Sequence, residues 1–123
     1  MNRIATVLFL FTALAPGLAI AQSATKPVRG VAAVYAARYV GHKTASGAIL
    51  DRKHPTVAHL TLGFGTRLVV VNRENRRTVT VTVNDRGPYS RQFIIDLSPA
   101  AAKALHIGPN GSARVEFRIA GNS

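Results

Sequence analysis

The sequence contains no cysteine and no tryptophan, and its acidic residues are few. Of its 123 residues, 16 are Lys or Arg and 5 are Asp or Glu, which gives a formal net charge of +11 at pH 7. Without cysteine the chain cannot build a disulfide scaffold, an iron–sulfur cluster, a thiolate zinc site or a thiol nucleophile. It also offers no cysteine for a lipid anchor. What is left is the composition of a small, strongly basic globular protein.

The N-terminal residues have the pattern of a secretory signal peptide. Arg3 supplies a positive charge, the stretch 4–15 is almost entirely apolar, and Ala19-Ile20-Ala21 places small residues two apart. The apolar run is shorter than the roughly 20 residues that span a bilayer, although an uncleaved anchor is the alternative. We therefore predict a cleavable signal peptide over residues 1–21 and an exported protein with no stable membrane anchor.

The rest of the chain is long enough for one compact core and shows no internal repeat. We predict a linker over residues 22–30 and one domain over residues 31–120, which we expect to be monomeric. The basic residues are scattered without an aromatic platform, so we expect no nucleic-acid partner. Their charge favours anionic polymers of the cell envelope, or alternatively serves only solubility.

Hydrophobic patterning predicts a mainly β domain. Strands are predicted over Val31–Tyr39, Arg67–Val71, Thr78–Val83, Phe93–Leu97 and Ala113–Ile119. A helix is predicted over residues 99–105, with Ser98 as its N-cap, Pro99 at its first position and Gly108 as its end. A hairpin turn is predicted over residues 73–77, with Asn75 in the left-handed conformation. Five or six short strands and one helix indicate a mostly antiparallel barrel.

Four segments carry a recognisable pattern. They are KTASG (43–47), TVAHLTLGFGT (56–66), VNDRGPY (83–89) and IIDLSPAAAKAL (94–105). In this order and spacing they resemble the rare lipoprotein A (RlpA) family of cell-envelope proteins, which share a double-psi β-barrel with expansins and barwin-like proteins. The resemblance implies a six-stranded double-psi β-barrel with one short helix.

The resemblance also implies a function. Some members of the family are lytic transglycosylases that cut peptidoglycan glycan strands lacking stem peptides. A general acid protonates the glycosidic oxygen, and the muramic hydroxyl closes onto the anomeric carbon to leave a 1,6-anhydro end. One well-placed carboxyl can donate and later accept the proton. The expected location is the periplasm.

Two residues are the candidate catalytic groups. Asp85 lies where the family has the aspartate of its NDRGP motif, and it is the expected acid/base. The alternative is a structural ion pair with Arg86 that caps the turn. His59 matches a family histidine and is expected to orient a carboxylate or share its proton, the alternative being a buried, hydrogen-bonded histidine. Asp96 is expected to be a structural acceptor for main-chain N–H groups, the alternative being a catalytic carboxyl.

The expected substrate-binding residues are polar or aromatic. They are Thr44, Ser46, Arg86, Tyr35 and Tyr89. The remaining histidines have no metal-ligand spacing, so we expect neither a metal nor another cofactor.

The sequence departs from the family at a position that bears on activity. The family usually has a glutamate after TASG, and Ala48 stands there in this chain. The departure leaves three hypotheses: a lytic transglycosylase, a non-catalytic expansin-like barrel that binds peptidoglycan, and a secreted effector or inhibitor.

Overall fold

The computed structural model describes residues 26–122, which form six strands, one α-helix and one 3₁₀ turn. The strands are β1 (Val28–Val34), β2 (Thr56–Ala58), β3 (Arg67–Asn72), β4 (Thr78–Asp85), β5 (Ile95–Leu97) and β6 (Ser112–Gly121). The helix, α1, spans Pro99–Ala104, and the 3₁₀ turn spans Ala37–Tyr39. The signal peptide expected over 1–21 lies outside the described residues. Between residues 26 and 122, no helix has the length and apolar character needed to cross a membrane.

The six strands close into a barrel in the order β1-β5-β2-β4-β3-β6, with β6 paired back to β1. The β1–β5 and β2–β4 pairs are parallel, and the other four pairs are antiparallel. The expected six-stranded, mainly β barrel with one short helix is confirmed. Closure also removes the exposed sheet edges that an open sheet of this size would present.

Several strand boundaries differ from those predicted, by one or two residues in β3, β4 and β6 and by more in β1. β1 begins at Val28, so its first three residues come from the predicted linker, and it ends at Val34 because the alanine-rich segment after it turns into the 3₁₀ helix. β2 was not predicted, since three residues are too few to show an alternating pattern. β5 begins at Ile95 rather than at Phe93.

Alternation of apolar and polar residues places the core inside the barrel. In β4, Val81 and Val83 are buried, while Thr80 and Thr82, which alternate with them, face outward. The inward residues of the other strands join them in one cluster, which α1 covers at one side. Its largest members are Leu68, Val70, Ile95, Leu97, Leu105, Val115 and Phe117.

Ser98 caps the helix as predicted and also ties it to the barrel. Its hydroxyl oxygen accepts hydrogen bonds from the main-chain N–H groups of Ala101 (3.3 Å) and Thr56 (2.9 Å). The same hydroxyl donates to the carbonyl oxygen of His54 at 3.2 Å. Because Ser98 is fully buried, it satisfies polar groups of both α1 and β2 that water does not reach.

The C-terminal end of the helix is capped by the β3–β4 hairpin. The helix stops at Ala104 with Leu105 as its C-cap, and His106 (φ +56°), rather than Gly108, takes the left-handed conformation. In the hairpin it is Arg76 (φ +71°), not Asn75, that does so. The Asn75 side chain instead donates to the Leu105 carbonyl at 3.0 Å, which helps to satisfy the helix end.

Replacing Ser98 by alanine tests this connection. Ser98→Ala leaves the N–H groups of Thr56 and Ala101 without their acceptor, so we expect the free energy of unfolding to fall by about 2 kcal/mol. Denaturant titration measures the change. Ser112→Ala, at an exposed position of β6, is the control, and we expect it to change stability by less than about 0.5 kcal/mol. Equal effects of the two substitutions would contradict a connecting role for Ser98.

Candidate functional site

Strand β4 ends at Asp85 and passes directly into a sharp bend formed by Arg86, Gly87 and Pro88. Gly87 has φ +123°, in the region that favours glycine, and the Gly87–Pro88 peptide bond is cis. The bend turns the chain immediately after Asp85. The sequence NDRGP therefore fixes the carboxylate at the end of a rigid strand.

The Asp85 carboxylate accepts three hydrogen bonds from three parts of the chain. Its Oδ1 accepts the main-chain N–H groups of Ala45 (2.8 Å) and Arg86 (2.9 Å). Its Oδ2 accepts the Tyr35 hydroxyl at 2.5 Å. The side chain is partly buried, so it is neither sealed in the core nor fully in solvent. The KTASG segment, the residue after β1 and the bend thus meet at this carboxylate.

A second carboxylate, Asp96, lies close to the first. Ile95 and Leu97 point into the core from β5, so Asp96 between them points outward. Ala58 of β2 is opposite Asp96 on one side and opposite Asp85 on the other. A bulge shifts the β2–β4 register between Val57 and Ala58, so that Asp85 rather than Asn84 is opposite Ala58. Two strand spacings put the Cα atoms of the two aspartates about 10 Å apart, and the charge of Asp85 acts on Asp96.

Asp96 differs from Asp85 in its surroundings. Throughout residues 26–122 no group donates a hydrogen bond to the Asp96 carboxylate. The expectation that it accepts main-chain N–H groups is therefore wrong, because its strand directs it away from the free amides of α1. Burial raises the pKa of Asp96 to about 6, and the negative charge of Asp85 adds to that effect.

Tyr35 contributes its hydroxyl group to the site. Burial raises the pKa of Tyr35 far above its ordinary value, and the hydrogen bond to Asp85 and the Asp85 charge raise it further. The hydroxyl therefore stays protonated and acts as a donor. Its ring makes an edge contact with Tyr39, with 6.3 Å between centroids. The residue predicted to stack on a sugar is thus engaged with the carboxylate.

Arg86 holds a neighbouring loop. Its Nη1 donates to the carbonyl oxygens of His59 (3.1 Å) and Leu62 (2.8 Å), and its guanidinium carbon lies 4.1 Å from the centre of the Phe64 ring. Within the described part of the chain it makes no ion pair with Asp85, so the alternative of a structural Asp85–Arg86 pair is not what the structure contains.

His59 is attached to the site through its main chain. Its N–H donates to the Asp85 carbonyl at 3.1 Å, whereas its ring Nδ1 accepts the N–H groups of Thr61 and Leu62, both at 3.1 Å. With Nδ1 acting as acceptor, the ring proton is on Nε2. Burial lowers the pKa of His59, and the Arg86 charge lowers it further. The imidazole is therefore neutral and faces Phe117 edge-on.

The KTASG loop contributes a main-chain group rather than its side chains. Thr44 is buried and donates to the Ala48 carbonyl at 2.8 Å, and its hydroxyl lies 3.0 Å from that of Ser46. These contacts shape the turn that presents the Ala45 N–H to Asp85. Sequence reasoning missed Ala45 because a main-chain donor leaves no mark on residue type.

Tyr89 and two hollows are open surface near this part of the barrel, and neither hollow is lined by Asp85 or Asp96 themselves. Tyr89 is 79% exposed, and its ring lies beside Gly87. One hollow of about 420 Å³ is lined by Tyr35, with Arg52 and Lys103 among its other residues. The other, of about 600 Å³, is lined by Ala48 and by Asn84, the neighbour of Asp85. Both volumes are in the range of sites for small organic ligands.

Comparison with known proteins identifies the family to which this domain belongs. The family model described as lytic transglycolase matches residues 28–117, which span β1 to β6 and include both carboxylates. The chain is 46% identical over 91 residues to a protein of Treponema pallidum named probable endolytic peptidoglycan transglycosylase RlpA. It is 43% identical over 88 residues to the endolytic peptidoglycan transglycosylase RlpA of Haemophilus influenzae.

These matches cover most of this chain and a minor part of the relatives. The alignments take in 74% and 72% of this chain but 29% and 31% of the two relatives. Among solved structures, the Streptomyces papain inhibitor superposes with a TM-score of 0.57 over 76% of this chain and 94% of its own. At 24% identity that likeness shows the fold alone. The expected resemblance is confirmed: the chain belongs to the lytic transglycolase family of double-psi β-barrel domains, with RlpA proteins among its relatives.

Proposed function

We propose that this domain is a lytic transglycosylase that cleaves peptidoglycan glycan strands poor in stem peptides and leaves 1,6-anhydromuramic ends. The observation that carries the proposal is the Asp85 carboxylate, partly exposed at the end of β4 and oriented by three hydrogen-bond donors. Two relatives that share this domain are named as peptidoglycan transglycosylases, which supports the same reaction class.

The surroundings of Asp85 suit a group that works as an anion. Cleavage of a glycosidic bond passes through an oxocarbenium-like transition state, which a nearby negative charge stabilises. A general acid protonates the leaving oxygen as its bond breaks, and the Asp85 carboxylate accepts the proton of the 6-hydroxyl as that oxygen bonds to the anomeric carbon. Tyr35 and the two main-chain N–H groups hold Asp85 in place for both tasks.

The other candidate residues divide into those that touch the glycan and those that shape the site. Tyr89 and Ser46 are exposed and are proposed to contact the sugar, Tyr89 through its ring face. Thr44 and Arg86 act through the loops that they hold. The Nε2–H group of His59 is a neutral donor, which suits a hydrogen bond to a sugar oxygen rather than proton transfer.

Peptidoglycan lies outside the cytoplasm, so this function requires export. The predicted signal peptide over 1–21 agrees with that requirement. Cleavage after residue 21 would remove Arg3, so the mature domain would carry 15 of the 16 basic residues and all 5 acidic residues. The resulting positive charge favours contact with the anionic envelope, and we propose the periplasm as its location.

A second candidate function is supported by one observation. The exposed Ala48 occupies the family's glutamate position and lines the larger hollow, where Asp51 is the one acidic residue among those that line it. A barrel without that glutamate fits a non-catalytic domain that binds glycan strands. The two functions differ in whether a product forms.

Substitution of Asp85 separates the two functions. The mature domain is incubated with amidase-treated peptidoglycan, and 1,6-anhydromuramic ends are measured by mass spectrometry. We expect product from the natural chain and a loss of at least about 100-fold in Asp85→Asn, because the carboxylate that accepts the proton is gone. Glu116→Gln, a carboxyl on β6 paired with Arg29, is the matched control and should retain activity.

Each outcome assigns a function. Sedimentation with the sacculus but no product from the natural chain indicates the binding domain. Neither product nor sedimentation contradicts both functions. Full activity in a folded Asp85→Asn variant contradicts the role given to Asp85.

Replacing Ala48 by the family's glutamate tests whether the absence of that carboxyl limits the rate of cleavage. Ala48 is exposed and borders open space, so Ala48→Glu should fold without disturbing the barrel. If the missing carboxyl limits the rate, we expect turnover of amidase-treated peptidoglycan to rise several-fold, with Ala48→Gln unchanged. An equal or lower rate in folded Ala48→Glu shows that this chain does not need an acid at that position.

A further inference from the structure

We propose that Asp96 is the proton donor of this reaction, so that Asp85 and Asp96 divide the roles of base and acid between them. The inference rests on the proposed function and adds a catalytic residue to it. It starts from the register of three strands, in which Ala58 is opposite both aspartates. The bulge at Ala58 sets Asp85 opposite that residue, the charges of both aspartates act on Tyr35, and the charge of Asp85 acts on Asp96, so the two carboxyl groups belong to one cluster.

The bend after β4 brings the main chain against Asp96. A Cβ atom at Gly87 would lie 3.7 Å from Oδ2 of Asp96 and 3.6 Å from the Tyr89 ring. Gly87 in the bend is therefore next to both the Asp96 carboxyl group and the exposed ring that is proposed to contact the glycan. In this proposal, a sugar that contacts Tyr89 presents its glycosidic oxygen to Asp96.

The two carboxyl groups differ in the number of hydrogen bonds that they accept. Asp85 accepts three donated bonds, which occupy lone pairs of an anion. Asp96 accepts none from any residue between 26 and 122, so nothing there holds its charge. A protonated carboxyl has an O–H to donate, and an unpartnered one has that O–H free for a substrate oxygen.

The groups that face Asp96 reinforce its protonated form. On the two neighbouring strands its partners are Ala33 of β1 and Ala58 of β2, and neither carries a charge. Two other groups interact with Asp96. Asp85, at the bend, is an anion, and Tyr35, after the end of β1, is a neutral phenol. The nearby Arg86 guanidinium is directed to the carbonyl groups of residues 59 and 62. Burial and the Asp85 charge raise the pKa of Asp96 to about 6.

The reaction step balances with these two groups alone. The Asp96 proton goes to the glycosidic oxygen, the bond from the anomeric carbon to that oxygen breaks, and its electron pair stays with the departing sugar. The 6-hydroxyl oxygen bonds to the anomeric carbon while its proton goes to Asp85. No water is consumed, and the proton that Asp85 has gained returns to Asp96 through solvent before the next turnover. Environments that separate the protonation states of two carboxyls are what assign acid and base.

This division of roles also accounts for Ala48. A chain with an acid at Asp96 and a base at Asp85 has both groups that proton transfer requires, so the return of the family's glutamate in Ala48→Glu changes the rate and not the presence of activity. The small side chain of Ala48 then leaves more space in the neighbouring hollow, and both proton-transfer groups are still present.

The test uses Asp96→Asn with two substrates, and Asp96→Ala as a second variant in case the first is unstable. One substrate is amidase-treated peptidoglycan. The other is a 4-nitrophenyl β-glycoside of the N-acetylglucosaminyl–N-acetylmuramic acid disaccharide, whose leaving group departs without being protonated. We expect the natural chain to cleave both, with the rate on peptidoglycan falling as pH rises through about 6, because Asp96 then loses the proton that it must donate.

For the variant we expect a loss of at least about 100-fold on peptidoglycan and less than about 10-fold on the nitrophenyl glycoside, with the pH limb near 6 removed. Asp85→Asn should lose both activities, and Glu116→Gln should keep both. Full activity of folded Asp96→Asn on peptidoglycan, or equal losses on the two substrates, overturns the inference. A natural chain that cleaves neither substrate overturns the proposed function itself.

Discussion

The three hydrogen bonds accepted by Asp85 hold the site together. They connect the KTASG loop through Ala45, the end of β1 through Tyr35, and the bend through Arg86. Residues 35 and 45 are far from residue 85 in the sequence, and the barrel strands alone do not determine how the loop of residues 43–47 lies against them. Because the acceptor is a single carboxylate at the end of a rigid strand, the loop and the tyrosine are positioned relative to the same atoms that are proposed to meet the substrate.

The charge on Asp85 also governs its neighbours. It raises the pKa of Tyr35, which therefore remains a donor, and contributes to the raised pKa of Asp96. A chain with only five acidic residues thus obtains two unlike carboxyl groups by surrounding one with donors and leaving the other with none. The same contrast explains why Asp96, which looks structural in the sequence, becomes a candidate for catalysis in the folded domain.

The sequence predicted those features that depend on local residue type. Alternating Thr and Val gave β4, the Ser98-Pro99 pair gave the start of α1, and the NDRGP motif pointed to Asp85. Features that depend on pairing between distant strands could not be predicted in this way. The three-residue β2 has no periodicity of its own, yet its Ala58 aligns the two aspartates. Residue identity also does not reveal hydrogen bonds to main-chain atoms. Such bonds are donated by the Ala45 N–H to Asp85, by the Arg86 side chain to the Leu62 carbonyl, and by the Thr61 N–H to Nδ1 of His59.

The burial of Asp96 and the charge of Asp85 together keep the second carboxyl protonated near pH 6. Carbon-13 NMR of the side-chain carboxyl groups, followed across pH in the natural domain and in Asp85→Asn, measures this without any substrate. We expect the Asp96 signal to titrate at about 6 in the natural domain and at a lower pH once the neighbouring charge is removed. An Asp96 signal that titrates near the ordinary aspartate value of about 3.9 in both proteins would contradict it.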